Sequence, residues 1–375
     1  MMGRSRFGLY LGELFGIKFY LDYSWFLIAA IVTYELATDL FPSALPGFSQ
    51  QSYFLMGGGT ALVFFLSILL HELGHSLVSQ RCGIPVPRIT LLFIGGIAEI
   101  SREPDTARAE LKIAAGGPAV SILLALVYGG AGYVADKLGW EVAATMLQLL
   151  ATVNVSLVVF NLIPGYPMDG GRMLRAMIWA RTGNLRKATF ITTRIGVGFS
   201  YVLIAFGVYR LFGGAWNAFV FLLIGIFLKG AAERGYTNTL YHEVLGGVRI
   251  GDIMTREPVC IPARMPLSLV VDEYFLAGHH VAYPVTDDGG EYRGMLRLEQ
   301  VRELPREKWA WTNAGEVAAQ HEGGTILASL PAEHAMRRLL AAGEGRLAVL
   351  EEGKVVGIIT RHDVLRFIRV RTELE

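Results

Sequence analysis

Hydrophobic and polar positions divide the chain in two. Uncharged, mostly apolar runs fill Ser52 to Leu70, Ile113 to Ala135, Val142 to Met168 and Leu211 to Leu228, whereas beyond Arg234 charged residues recur and long runs disappear. A hydrocarbon core about 30 Å thick needs roughly 20 apolar residues of helix, which the first three runs meet or approach. Tyr23 to Tyr34 and Ile195 to Tyr209 are shorter candidates, the second gaining length from Phe190 to Arg194. The pattern predicts a polytopic α-helical membrane domain of about six transmembrane helices, followed by a soluble part.

Between the second and third spans, Ile84 to Ile100 carries Pro85, Pro87, Ile89, Leu91, Phe93 and the pair Gly95-Gly96, which reads as strands with a turn. A small β insertion is therefore expected inside the membrane domain. A free strand edge there could hold an unwound substrate by added main-chain hydrogen bonds.

Charge orients the spans. Arg81, Arg88, Arg102, Arg108 and Lys112 share one loop and Arg172, Arg175, Arg181, Arg186 and Lys187 another, against only Lys137 and Arg210 on the opposite side. By the bias of Lys and Arg toward cytoplasmic loops, both termini and the soluble part are expected in the cytoplasm of a multi-pass cell-membrane protein. Arg4 and Arg6 precede the first run, but no small-residue cleavage site follows it, so it is expected to remain as a span.

Composition agrees: 53% of residues are hydrophobic and the mean hydropathy is +0.42. The net charge of +1 says nothing about partners, and with no basic stripe with interleaved aromatics nucleic acid is not an expected one. Cys82 and Cys260 fall in segments read as cytoplasmic, where a disulfide is not expected.

Chemistry enters where the second span ends. After 19 uncharged residues come His71, Glu72 and His75. Ionisable groups at membrane depth cost roughly 2.5 to 3.5 kcal/mol each on insertion scales and mark function. Histidines four apart stand on one helical face and can share a metal, and Glu72 between them can reach a water on it. Such an arrangement suits a zinc hydrolase, with Glu72 as general base.

A catalytic zinc usually takes three protein ligands. Val142 to Phe160 is followed by Asn161-Leu-Ile-Pro-Gly-Tyr-Pro-Met-Asp-Gly-Gly-Arg172, where Pro164 and Pro167 break the helix and Gly170 and Gly171 allow a sharp turn. Asp169 on this broken end is the candidate third ligand; equally, it could cap the amphipathic stretch Gly170 to Arg181.

His71-Glu-Leu-Gly-His75 within a span and the Asn161 to Arg172 segment at the end of a later one resemble the site-2 protease family of intramembrane zinc metalloproteases, over roughly Gly12 to Arg175. The resemblance implies one zinc ion on His71, His75 and Asp169, Glu72 as general base, and Asn161 holding the substrate or the oxyanion. The implied substrate is a membrane protein, cut within or near a transmembrane helix. Ala115-Gly116-Gly117-Pro118 is similar to the family's small-residue motif and reads as close helix packing.

From Val248 onward a pattern of strand, helix, two strands and helix occurs twice. Its helices are Leu267 to Ala277 and Ala332 to Ala342, and its strand pairs start near Val281 and Arg346. With Ile250-Gly-Asp-Ile-Met254 as its opening, it resembles a tandem CBS domain of α/β class. The expected organisation is 1–230 membrane metalloprotease, 231–247 linker, 248–306 first CBS domain and 307–375 second.

Such pairs imply adenine nucleotide (ATP, ADP or AMP) and association into a homodimer. Gly357-Ile-Ile-Thr360-Arg-His-Asp363 is similar to the ribose and phosphate segment, making Thr360 and Asp363 candidate nucleotide ligands; the plainer reading is that they cap the final helix. In the first copy the matching positions are Arg297 and Gln300. The alternative from another class is a CBS-gated transporter or channel, whose histidines and carboxylate line an ion path. It gives no reason for a glutamate directly after the first histidine.

Overall fold

Helix starts along the chain are marked by small polar caps. In the computed structural model, which describes residues 8–374 apart from 94, 216–217, 279, 319–323 and 342–344, α1 (Tyr23–Glu35) begins at Asp22, whose carboxylate accepts from the Ser24 N–H. It runs on through a wider turn, Leu36–Leu40, into α2 (Phe41–Ala44). Ser49 caps α3 (Gln50–Arg81), Thr106 caps α4 (Ala107–Lys137) and Asn184 caps α7 (Leu185–Phe212). Between them lie α5 (Glu141–Asn161) and α6 (Asp169–Thr182), the latter closed by Gly183 in the left-handed conformation that glycine tolerates. Helix α8 (Phe219–Leu245) follows. Arg4, Arg6 and Ala342 lie outside the described residues.

Among the described residues, five segments are long and apolar enough to cross a membrane: Tyr23–Ala44, Gln50–Arg81, Ala107–Lys137, Glu141–Asn161 and Leu185–Phe212. The chain is a multi-pass membrane protein. The sixth expected run, Leu211 to Leu228, is divided: α7 ends at Phe212 and α8 starts at Phe219. Only Phe219 to Leu228 is apolar before Lys229, about 15 Å of helix and half of a hydrocarbon core. The stretch 231–247, expected as a linker, continues α8 as helix to Leu245.

The chain divides into two compact units, Met1–Thr237 and Asn238–Glu375. In the first, α4 packs on α3, α5 and α6. Gly74 and Gly116 meet where α3 crosses α4, and a Cβ on either would run into the other's backbone, so the helices touch main chain to main chain.

The β insertion is larger than a hairpin. Strands β3 (Arg88–Leu92) and β4 (Gly95–Glu99) pair antiparallel as expected, and β1 (Leu9–Leu14) and β2 (Ile17–Leu21) join them in the order β1-β2-β3-β4. Strand β2 runs parallel to β3 with Phe19 opposite Ile89. Ile17, Ile89 and Val86 bury their side chains with Leu73 of α3, seating this sheet on the helix that carries the histidines. Strand β4 is left at one edge of the sheet.

The second unit contains the expected repeat. Copy one has β6 (Ile261–Pro262), α10 (Leu267–Val270, continued by a wider turn Val271–Leu276), β7 (Ala282–Thr286), β8 (Tyr292–Arg297) and α11 (Leu298–Arg302). Copy two has β9 (Thr325–Leu327), α13 (Ala332–Ala341), β10 (Arg346–Glu351), β11 (Lys354–Thr360) and α14 (Arg361–Leu374). Each sheet pairs its first strand parallel to the second and its second antiparallel to the third.

The copies exchange elements. Helix α9 (Ile250–Ile253) and β5 (Thr255–Arg256), which precede copy one, complete copy two: β5 pairs with β11 and Ile250 is buried beside Leu347 and Ile359. Helix α12 (Ala314–Ala318), which precedes copy two, packs Ala314, Val317 and Ala318 into the core of copy one.

Candidate active site

Residues 94 positions apart converge. His71 and His75 lie one turn apart on α3, Asp169 is the first residue of α6, and all three are buried. His71 Nε2 and His75 Nε2 are 3.2 Å apart, and Asp169 Oδ2 is 3.3 Å from the first and 3.1 Å from the second. Among the described residues they are the one group of histidine, cysteine and acidic side chains placed to share an ion.

The triangle fits zinc. Tetrahedral bonds of about 2.0 to 2.1 Å put neighbouring ligand atoms about 3.3 Å apart, and the three sides here measure 3.1 to 3.3 Å. The far side of each imidazole is tied down. His75 Nδ1 lies 2.7 Å from the Ile113 carbonyl and His71 Nδ1 lies 2.8 Å from Ser121 Oγ. The Gly117 N–H also comes within 3.3 Å of His75 Nδ1, but a carbonyl can only accept, so the shorter contact keeps the proton on Nδ1. The Nε2 lone pair of His75 therefore faces the carboxylate and the second ring, an arrangement that a cation between them relieves.

Glycines shape the space. A Cβ on Gly117 would overlap Nε2 of both histidines, so any larger residue there displaces both rings. Gly116 does the helix packing anticipated for this motif; Gly117 leaves open the space beside the two Nε2 atoms. Gly170 and Gly171 pack directly on the backbone of Leu162, Ile163, Gly165 and Tyr166, which allows the chain to fold back after Pro164 and present Asp169 inward. That loop is pinned to α7, where the Tyr166 N–H donates to the Thr192 carbonyl at 3.0 Å.

Glu72, half-buried, lies under the sheet: a Cβ on Gly96 of β4 would collide with its side chain. Asn161 is the last residue of α5, half-buried and eight positions before Asp169. Thr360 and Asp363 lie in the other unit and are joined to each other. Asp363 Oδ2 accepts from the Thr360 N–H at 2.9 Å and from its hydroxyl at 2.6 Å, while the Asp363 N–H donates back to Thr360 Oγ1 at 3.2 Å. This is a reciprocal helix cap on α14. Copy one repeats it with Gln300, whose side chain accepts from the Arg297 N–H at 2.7 Å.

The model of peptidase family M50 matches residues 59–137 and 131–205, and the CBS domain model matches 250–307 and 324–370. Rip3 of Mycobacterium tuberculosis, designated a zinc metalloprotease, is 34% identical over 368 residues, covering 96% of this chain and 92% of its own. The chain belongs to peptidase family M50. A second relative named for zinc metalloprotease activity, sll0528 of Synechocystis, is 30% identical over 368 residues, covering 96% of this chain and 95% of its own. The solved site-2 protease of Methanocaldococcus jannaschii is 26% identical, covering 61% of this chain and 94% of that one, with a TM-score of 0.42.

As an M50 member the chain is a zinc metalloprotease with CBS domains, and the transporter alternative loses its ground. Sequence reasoning missed four features of this M50 site: Ser121, the Ile113 carbonyl, Gly117 as a spacer, and Gly96 over Glu72. Of these, only Ser121 had a usable signal, a lone hydroxyl in an apolar run one helical turn after Gly117.

Proposed function

We propose that this protein hydrolyses peptide bonds within or near transmembrane segments of other membrane proteins, with His71, His75 and Asp169 holding the zinc ion. The observation that carries the reading is the 3.1 to 3.3 Å triangle of buried ligand atoms, two of them on a helix long and apolar enough to span the bilayer. When bound there, zinc supplies a water of lowered pKa and polarises a peptide carbonyl. Glu72 accepts the proton of the attacking water and returns it to the leaving amine. Asn161, at the open end of α5, steadies the substrate carbonyl. From His71 to Gln80 is about 13 Å of helix, which sets the site below the cytoplasmic surface when the Lys and Arg loops face the cytoplasm.

The direct test uses purified full-length protein and a panel of single-span substrates. A chelator should abolish cleavage and stoichiometric zinc should restore it. Ion flux with bound zinc and no cleavage would reverse the reading.

Strand β4 offers an edge to an unwound substrate beside Glu72. Main-chain pairing there would hold the peptide extended, which exposes the carbonyl that a helical substrate hides. Of two adjacent residues on an edge strand, one N–H faces the neighbouring strand and the other faces outward. Proline at Ile97 or at Ala98 should therefore lower cleavage by about tenfold or more in at least one case. Full cleavage by both variants would refute strand docking.

We assign residues 1–230 to proteolysis and the CBS domains at 248–306 and 307–375 to its regulation from the cytoplasm, through 231–247. Adenine nucleotide bound at Thr360 and Asp363 is the proposed signal, and the CBS pair the proposed contact between two copies. Calorimetry on the full-length protein should show heat with AMP or ATP that Asp363→Ala removes. Absence of heat with both nucleotides would sink the nucleotide proposal.

A further inference from the structure

A second pair of buried charges stands outside the metal triangle. Glu110, in the first turn of α4, is 1% exposed, and Arg175 of α6 is 4% exposed. Arg175 Nε donates to Glu110 Oε1 at 2.6 Å, and Nη2 contacts the same oxygen. Glu110 Oε2 is buried without a partner. The guanidinium also lies over the Tyr166 ring, 5.6 Å from its centroid.

A brace of this kind is poorly explained by stability. Taking two charges out of water costs several kcal/mol per ion, and well-packed apolar substitutes are often neutral or stabilising. The leftover carboxylate oxygen makes this pair dearer still. What an arginine fork adds is direction, since its planar donors fix the partner's position and angle.

The positions of the two residues show what is being fixed. Glu110 is three residues before Ile113, whose carbonyl holds His75 Nδ1. Arg175 is six residues after Asp169 on the same helix. The pair thus joins the turn that orients His75 to the helix that presents Asp169, and Tyr166 stacks on it from the loop between α5 and α6. A rotation of α6 by about 20° would move a side-chain tip 5 to 6 Å from the axis by roughly 2 Å, enough to break the triangle.

We propose that Glu110 and Arg175 are positioning residues for the zinc site, a buried brace between α4 and α6 that sets Asp169 against His75. The proposal rests on the zinc reading given above. Zinc affinity is measured by chelator competition in detergent for wild type, Asp169→Ala, Glu110→Gln, Arg175→Lys and the swap Glu110→Arg/Arg175→Glu. The visible spectrum of the cobalt-loaded protein, thermal unfolding, kcat and KM are measured beside it.

Glu110→Gln and Arg175→Lys should weaken zinc by about 10- to 100-fold, as loss of a supporting group does. They should alter the cobalt spectrum and lower kcat by a similar factor with KM within about twofold, and the swap should recover most of the affinity. A merely structural pair would lower the unfolding temperature while folded molecules keep wild-type affinity, spectrum and kcat, and that result overturns the brace. If Glu110→Arg/Arg175→Glu does not fold, the two single conservative variants decide alone. Loss of zinc in Asp169→Ala but not in the brace variants refutes the brace and leaves the site standing; zinc retained in Asp169→Ala refutes both.

Discussion

Glu72→Gln should leave zinc bound at full stoichiometry while cutting kcat by roughly 10²- to 10⁴-fold, the usual worth of a general base. The amide keeps the size and hydrogen-bonding reach of the acid but cannot take a proton from water. The three groups of the metal triangle are untouched by the change, and Glu72 is separate from them, facing Gly96 of β4. Metal analysis together with cleavage of single-span substrates checks both halves. Loss of zinc in this variant would make Glu72 a ligand, and cleavage near the wild-type rate would remove it from the chemistry.

Gly117→Ala should be as damaging by the opposite route. The new methyl would take the space between the two Nε2 atoms, so both rings must turn away before zinc can enter. Zinc affinity should fall by about 100-fold or more, by analogy with losses at supporting positions that leave the ligands in place. Folding should survive, because alanine is favoured over glycine in a helix by roughly 0.5 to 1 kcal/mol. Wild-type zinc content in a folded Gly117→Ala protein would show that the glycine is not needed as a spacer.

What could be read from the sequence follows the range of the interactions. The histidine pair was legible because i and i+4 share a helical face, and prolines and glycines announced a broken helix end at Asp169, where a ligand and a helix cap were equal readings until the resemblance favoured the ligand. Apolar runs gave away the spans. Pairings that join distant segments left no such mark. Lys18 to Leu21 lie beside Arg88 to Leu91 in a parallel ladder whose partners are about 70 residues apart, and neither stretch specifies the other. Ser121 and His71, or Glu110 and Arg175, meet only once α4 has docked on α3 and α6.

Exchange within the CBS unit was hidden for the same reason. Ile250 reads as the opening of copy one, yet it is buried in the core of copy two, because contiguous sequence and shared core are separate properties. Sequence did contain the break at Gly213-Gly214 that divides the sixth run. Hydropathy alone passed over it, since glycine interrupts a helix without adding charge.

The spacer glycine has a consequence for lineages as well as for the molecule. A single nucleotide turns a glycine codon into one for alanine, and on the zinc reading proposed above that step at residue 117 is expected to weaken the site while leaving His71, Glu72, His75 and Asp169 in place. A descendant altered in this way would still carry the histidine motif and the CBS pair in its sequence, so the motif alone would not reveal the change. Among relatives, the residue that separates working proteases from such altered copies is therefore to be sought on α4, in a side chain that is missing.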